Sequence, residues 1–204
     1  MKKLLKLTAW LLLLAITFYA GSLASDKRTL SENLIRLHVV ADSDSQEDQE
    51  NKFYVRDAIV EYLQPRLEKF TDMEATKSYI QQQLPKLQEL ANNALQDLGE
   101  SCKAIVTIAK ESFPTREYGT FTLPAGIYES LRVTIGEGGG KNWWCVVFPA
   151  LCVSATSDGF EDTAVGAGFS DSLSGALTQK PQYQVRFFLL DCWGWIENRL
   201  WKKA

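Results

Sequence analysis

The sequence predicts an α+β fold: a mostly antiparallel sheet with two long N-terminal helices packed on it and a short C-terminal helix. Three observations lead there. A short alternating run at residues 34–40 precedes two long segments whose apolar residues return at helical spacing. The β-rich runs beyond residue 100 are separated by glycine and proline. A last amphipathic stretch closes the chain.

Each element has its own warrant. In "LIRLHVV", Ile35, Leu37 and Val39 share one face of a strand, and Arg36 and His38 share the other. Ser45 followed by Asp48 resembles a capping box. The helix behind it is expected to reach about Phe70, carrying Val55, Ile59, Leu63 and Leu67, with a kink at Pro65. Thr71 and Glu74 form a second capping box, before a helix with Ile80, Leu84, Leu87, Ala91 and Leu98 that stops at Gly99. Pro85 is expected to break or kink it. Cys102 to Lys110 reads as the second strand.

The stretch "ESFPTREYGTFTLPAGIYES" shows neither period. Leu131–Ile135 and Trp143–Phe148 are β-rich and flank a glycine run, which predicts a hairpin with a glycine loop. Residues 154–181 are rich in Gly, Ser, Asp and Thr and predict a mobile loop. "YQVRFFLL" at 183–190 predicts a last strand, and Cys192 to Trp201 a short helix.

The chain starts "MKKLLKLTAWLLLLAITFYAGSLAS". Lys2, Lys3 and Lys6 precede an apolar run from Leu7 to Ala20, and Ser22 and Ala24 are small residues at signal-peptidase positions. Residues 1–24 therefore predict a signal peptide cleaved after Ala24, with an uncleaved anchor as the alternative. Residues 25–204 then form a single extracytoplasmic domain, secreted or membrane-associated. Contact with a membrane is expected only through the N-terminal segment. The chain has 22 basic and 25 acidic residues, and three of the basic ones lie in the first 24. No basic stripe points to nucleic acid.

The chemical constellations are weak. The glycines of "GEGGGK" enclose too few residues for a phosphate loop, and a tryptophan strand follows where a helix should. Cys145 and Cys152 are not at zinc spacing, and His38 is the only histidine. "DSDSQED" has Glu47 where a calcium loop needs glycine and Phe53 where it needs glutamate. No G-x-S-x-G elbow or Cys–His protease signature accompanies His38. No catalytic residue, metal or cofactor is assigned. Trp143 and Trp144 point to opposite faces of a strand, so at least one is expected to be exposed unless both faces are covered.

The strings "FPTREYGTFTLPAGIYESLRVTIGEG", "GEGGGKNWWCVVFPALC" and "LIRLHVVADSDSQEDQENKFYVRDAIVEYL" closely resemble the stage II sporulation protein R family of endospore-forming Firmicutes. The resemblance covers roughly residues 30–152 and reaches to the last strand and tail. Asp42 stands where that family is expected to have Asn, and the 154–181 loop transfers nothing. The resemblance implies a signalling protein and not an enzyme. It implies export from the forespore into the space between the two septal membranes. There it would activate a membrane-embedded aspartic protease of the mother cell, which processes pro-sigma E. The rival class is an exported cell-wall glycan-binding module or hydrolase. A glycan binder would show a flat aromatic platform, and a hydrolase two converging carboxylates.

Two site expectations follow. The glycine loop, with Arg132, Glu137, Lys141, Asn142, Trp143 and Trp144, is expected to dock on the partner, and "FPTREYG" is the next surface to consider. A turn at Pro149 would bring Cys145 and Cys152 together as a disulfide, leaving Cys102 and Cys192 as buried thiols or a second bridge. A straight strand through residues 143–152 would instead keep the two sulfurs apart.

Overall fold

The structure is a computed structural model, and it describes residues 2–118, 121–149, 169–178 and 185–202. The chain opens with a single helix, α1 (Lys2–Asn33), which continues through residues 25–33 where the sequence reading assigned no element. Its first twenty described residues are exposed on every side, whereas Leu23 and Leu30 are buried. The expected cleavage point after Ala24 lies within this helix.

Strand β1 (Ile35–Val40) is buried along its whole length, as a strand at the centre of a sheet must be. Helix α2 (Gln46–Leu67) begins where expected: Ser45 Oγ accepts the Asp48 backbone N–H at 3.0 Å. The Asp48 carboxylate accepts the hydroxyls of Ser43 and Ser45, which hold its pKa below the ordinary carboxylate value. Helix α3 (Met73–Asp97) is capped by Asp72, whose Oδ2 accepts the Ala75 N–H at 2.7 Å, and not by Thr71. Pro85 does not end it. A proline forfeits one helical hydrogen bond, but Ile80, Leu87, Ala91 and Leu95 are buried on both sides of it and hold the helix together. Gly99 stops α3 with φ of +82°, and Glu100 N–H returns to Leu95 O at 2.9 Å.

Strands β2 (Ala104–Phe113), β5 (Gly126–Ile135) and β6 (Asn142–Phe148) join β1 in a four-stranded sheet of order β2-β5-β1-β6. Between β2 and β5, the short strands β3 (Arg116–Tyr118) and β4 (Phe121–Leu123) pair as a separate two-stranded sheet. They occupy the stretch that showed no period, because three residues are too few to display an alternation.

The predicted hairpin does not exist. β5 and β6 are separated by β1, which runs parallel to β5 (Leu37 opposite Leu131) and antiparallel to β6 (Leu37 opposite Cys145). The glycine run is a crossover above the end of β1: Gly139 and Gly140 N–H donate to Asp42 O and Ala41 O at 2.9 and 3.0 Å. A Cβ on Gly140 would lie 2.1 Å from Ser43 O, so only glycine passes this close.

The C-terminal region differs too. Of the predicted 154–181 loop, residues 154–168 and 179–181 lie outside the described residues, and Asp171–Thr178 is a helix, α4, with Leu173, Ala176 and Leu177 buried. The predicted strand at 183–190 is wrong from Val185 onward, because Val185–Trp201 is one helix, α5. Phe187, Leu190 and Gly194 face inward at helical spacing, and that packing overrides the β propensity of the run.

The layers follow from these faces. α2 and α3 cover one side of the sheet over Ile35, Leu37, Val39, Leu131, Val133 and Cys145. The other side is covered by the end of α1, β3–β4, α4 and α5, around Phe113, Tyr128, Val146 and Leu190.

Candidate functional site

The side of the sheet beneath β3–β4 carries a polar and aromatic network. Strand alternation sends Arg36 and His38 of β1 to this side, opposite Ile35, Leu37 and Val39. His38 Nδ1 lies 3.1 Å from Glu111 Oε2 of β2, and its Nε2 lies 2.8 Å from Asn142 Oδ1 of β6. Arg132 Nη1 of β5 donates to Glu111 Oε1 at 2.6 Å. Every strand of the main sheet therefore contributes to one chain of contacts. Burial alone would raise the Glu111 pKa. The hydrogen bonds from His38 and Arg132 outweigh it and bring the carboxyl down to about 2. Both ring nitrogens of His38 are engaged, one by a carboxylate and one by an amide.

Aromatic rings extend the network to the edge strand. Trp144 stacks on His38 with ring centroids 5.5 Å apart, and the Arg116 guanidinium lies 3.8 Å from the Trp144 centroid. Burial pushes the Arg116 pKa down from its ordinary value. Arg36, fully buried, lies 4.1 Å from the Phe113 ring and donates to the Tyr118 hydroxyl at 2.5 Å. Tyr118 is thereby held above the sheet, stacked on Phe121. On the opposite side of β6, Trp143 packs against the α2–α3 core with Arg56 at 4.8 Å.

Beside this network lies an open cleft of about 550 Å³, lined by Arg116, Glu117, Tyr118, Lys141, Asn142, Trp143 and Trp144. Its rim is rigid. Lys141 N–H donates to Asp44 Oδ1 at 2.8 Å and Glu137 N–H to Asp42 Oδ1 at 2.7 Å. Lys52, almost wholly buried, donates to Lys141 O at 3.0 Å, and burial lowers its pKa.

The profile of the family described as stage II sporulation protein R matches residues 31–158. The stage II sporulation protein R of Bacillus subtilis (strain 168) is 34% identical over 167 residues, covering 78% of this chain and 75% of that protein. The chain belongs to the stage II sporulation protein R family. No solved structure matches it. The family match takes in β1 through β6 and so every residue lining the cleft, but stops short of α4 and α5.

Within this family member, four of the expected docking residues line the cleft: Lys141, Asn142, Trp143 and Trp144. Glu137 sits exposed on the crossover, and Arg132 is held by Glu111. Both tryptophans are half-buried, which neither a core nor a free-anchor reading anticipated. The other wall, Arg116–Tyr118, comes from "FPTREYG", so two segments named separately in the sequence form one surface. The signal for this wall was Arg116 and Tyr118 two residues apart, which puts both on one side of a strand.

Cys145 is disulfide-bonded, while Cys102 and Cys192 are free thiols. Cys152, the expected partner of Cys145, lies outside the described residues. Cys192 is exposed, not buried as expected. Among the described residues, no cluster of three or more metal-ligating side chains occurs.

Proposed function

We propose that this chain is an exported sporulation signal that acts by binding. Its partner is a membrane-embedded aspartic protease of the mother cell, and the outcome is pro-sigma E processing. Membership of the stage II sporulation protein R family and the apolar N-terminal helix support sporulation and export. The observation that carries the binding reading is the cleft itself. It is an aromatic, arginine-rimmed surface on the edge strand, and tryptophan, tyrosine and arginine are the residues that most often anchor interfaces.

A ligand activates a protease only if it binds the active arrangement more tightly than the resting one. Moving a population from mostly off to mostly on takes about 5 kcal/mol of such difference. Two or three anchors worth about 2 kcal/mol each supply it. Confinement between two closely spaced membranes adds effective concentration. The hydrogen bonds that hold the Lys141 backbone in place reduce the ordering entropy lost there on docking.

At the cleft, the geometry disfavours a glycan-binding platform. A sugar platform needs an open ring face. The Trp144 ring already carries Arg116 and His38, and Trp143 carries Arg56. Reconstitution of the full chain with the protease and its sigma precursor tests the proposal: processing should depend on the chain and on the cleft residues.

A further inference from the structure

We propose that α5 is a second membrane-contact element, lying in the interface of a lipid bilayer with its outer face in the headgroup and acyl boundary. This goes beyond the protease reading and does not depend on it.

The outer face of α5 is apolar where a soluble helix would be polar. Val185, Phe188, Trp195, Ile196 and Leu200 recur every few residues, and Phe188, Trp195 and Leu200 are 62%, 58% and 65% exposed. Trp193 and Trp201 are also exposed. The polar side chains of α5 mostly face the domain: Asp191 accepts the Ala125 N–H at 2.7 Å, and Asn198 donates to Phe113 O at 2.7 Å. Gly194 lets the helix lie close, since a Cβ there would meet Ala125 O at 1.5 Å. The helix is thus seated with Arg186, Asp191 and Glu197 engaged by the rest of the domain and its apolar side chains outward, Arg199 in the last turn being the exposed charge. A contiguous apolar surface of this kind marks an interaction site.

Its position says what covers it. α1 contains the candidate membrane span found among the described residues, an 18-residue window of mean hydropathy 1.8 near the N-terminus. At helical rise such a window is about 27 Å long, close to the hydrocarbon thickness of a bilayer. α5 is tied to α1 where the exposed apolar part of α1 ends. Arg186 Nε donates to Asp26 Oδ2 at 2.6 Å and its Nη2 to Ser22 Oγ at 3.3 Å. Lys27 Nζ pairs with Glu197 Oε2 at 2.6 Å and lies 5.6 Å from the Trp193 ring. A helix fixed at the exit of a span, with exposed tryptophans and with Arg199 and Lys202 at its end, has the composition of an interfacial helix. Membrane contact was expected through the N-terminal segment alone. With α1 retained as the uncleaved anchor, the two helices together hold the domain against the bilayer.

The test uses the full chain reconstituted in vesicles of phosphatidylethanolamine and phosphatidylglycerol. Cys102→Ser leaves Cys192, on the outer side of α5, as the labelling site for an environment-sensitive fluorophore. The expected result is blue-shifted emission that is quenched by lipids spin-labelled near the headgroup. In the Phe188→Glu, Ile196→Glu variant, emission should shift to that of water and quenching should be lost while the chain stays with the vesicles through α1. Emission already typical of water in the parent chain overturns the proposal. So does quenching that survives the two glutamates. A shielded probe that lipid does not quench, with Cys192 cross-linking to a second copy, overturns it in favour of a dimer face.

Discussion

The Arg116 guanidinium lies 3.8 Å from the centre of the Trp144 ring, and Trp144 stacks in turn on His38. This contact joins β3 to the edge strand β6 and so closes the cleft between segments far apart in sequence. Its consequences separate folding from signalling.

Trp143 and Trp144 should differ when replaced. Trp143 packs against the α2–α3 core, so Trp143→Ala should cost about 2–4 kcal/mol of stability. Trp144 lies on the network side and is only partly buried, so Trp144→Ala should cost less, about 1–2 kcal/mol, and should weaken processing more than its stability loss explains. Chemical denaturation of both variants, beside processing at matched folded concentration, checks this ordering.

Gly140→Ala tests the crossover. The added methyl would sit 2.1 Å from Ser43 O and 2.9 Å from Ala41 Cβ, so the loop must move away from the end of β1. A loss of about 1–3 kcal/mol is expected. Gly99→Ala meets nothing within 4 Å, so its cost should come only from its positive φ, about 1 kcal/mol.

Glu111 gives a pH signature. Its pKa falls from 4.5 to about 2 on folding. A depressed carboxylate stabilises the fold above its unfolded pKa, and that stabilisation is lost as pH falls from about 4.5 toward 2. Because the group is partly exposed, on the order of 1–2 kcal/mol is expected. Glu111→Gln should therefore be less stable than the parent near neutral pH, and the gap should close in acid. Denaturant midpoints across that range read it directly.

The cysteines should separate cleanly. Alkylation without reductant should modify Cys192 fastest, since it is exposed, and Cys102 more slowly, since burial raises its pKa. Cys145 should stay unmodified until reduced. Peptide mapping of the exported protein shows the order.

What the sequence revealed, and what it hid, has physical causes. Local signals were legible. The hydroxyl–carboxylate cap before α2 and the glycine stop after α3 act within one turn, so their residues could be read directly. Strand pairing was not. The glycine run permits a hairpin and a crossover equally, and the choice is made by β1, about a hundred residues earlier, inserting between β5 and β6. The start of α5 failed for a related reason, because a short apolar run fits a strand or a buried helix until its packing partner is known. The same limit applied to the cleft. Trp143 and Trp144 were visible as anchors, while their opposite wall at Arg116 and Tyr118 came into view only through the contacts of β3.

The cleft is proposed as the docking surface for the protease. Arg116→Ala tests it most directly, because the side chain lies on the rim and its loss should cost only about 0.5–1 kcal/mol of stability. The measurement is pro-sigma E processing by the reconstituted protease across a titration of parent and Arg116→Ala chains, with folding verified for both. The variant should need at least about tenfold more chain for half-maximal processing, the loss of one interface anchor. Superimposable titrations from an equally folded variant would contradict it.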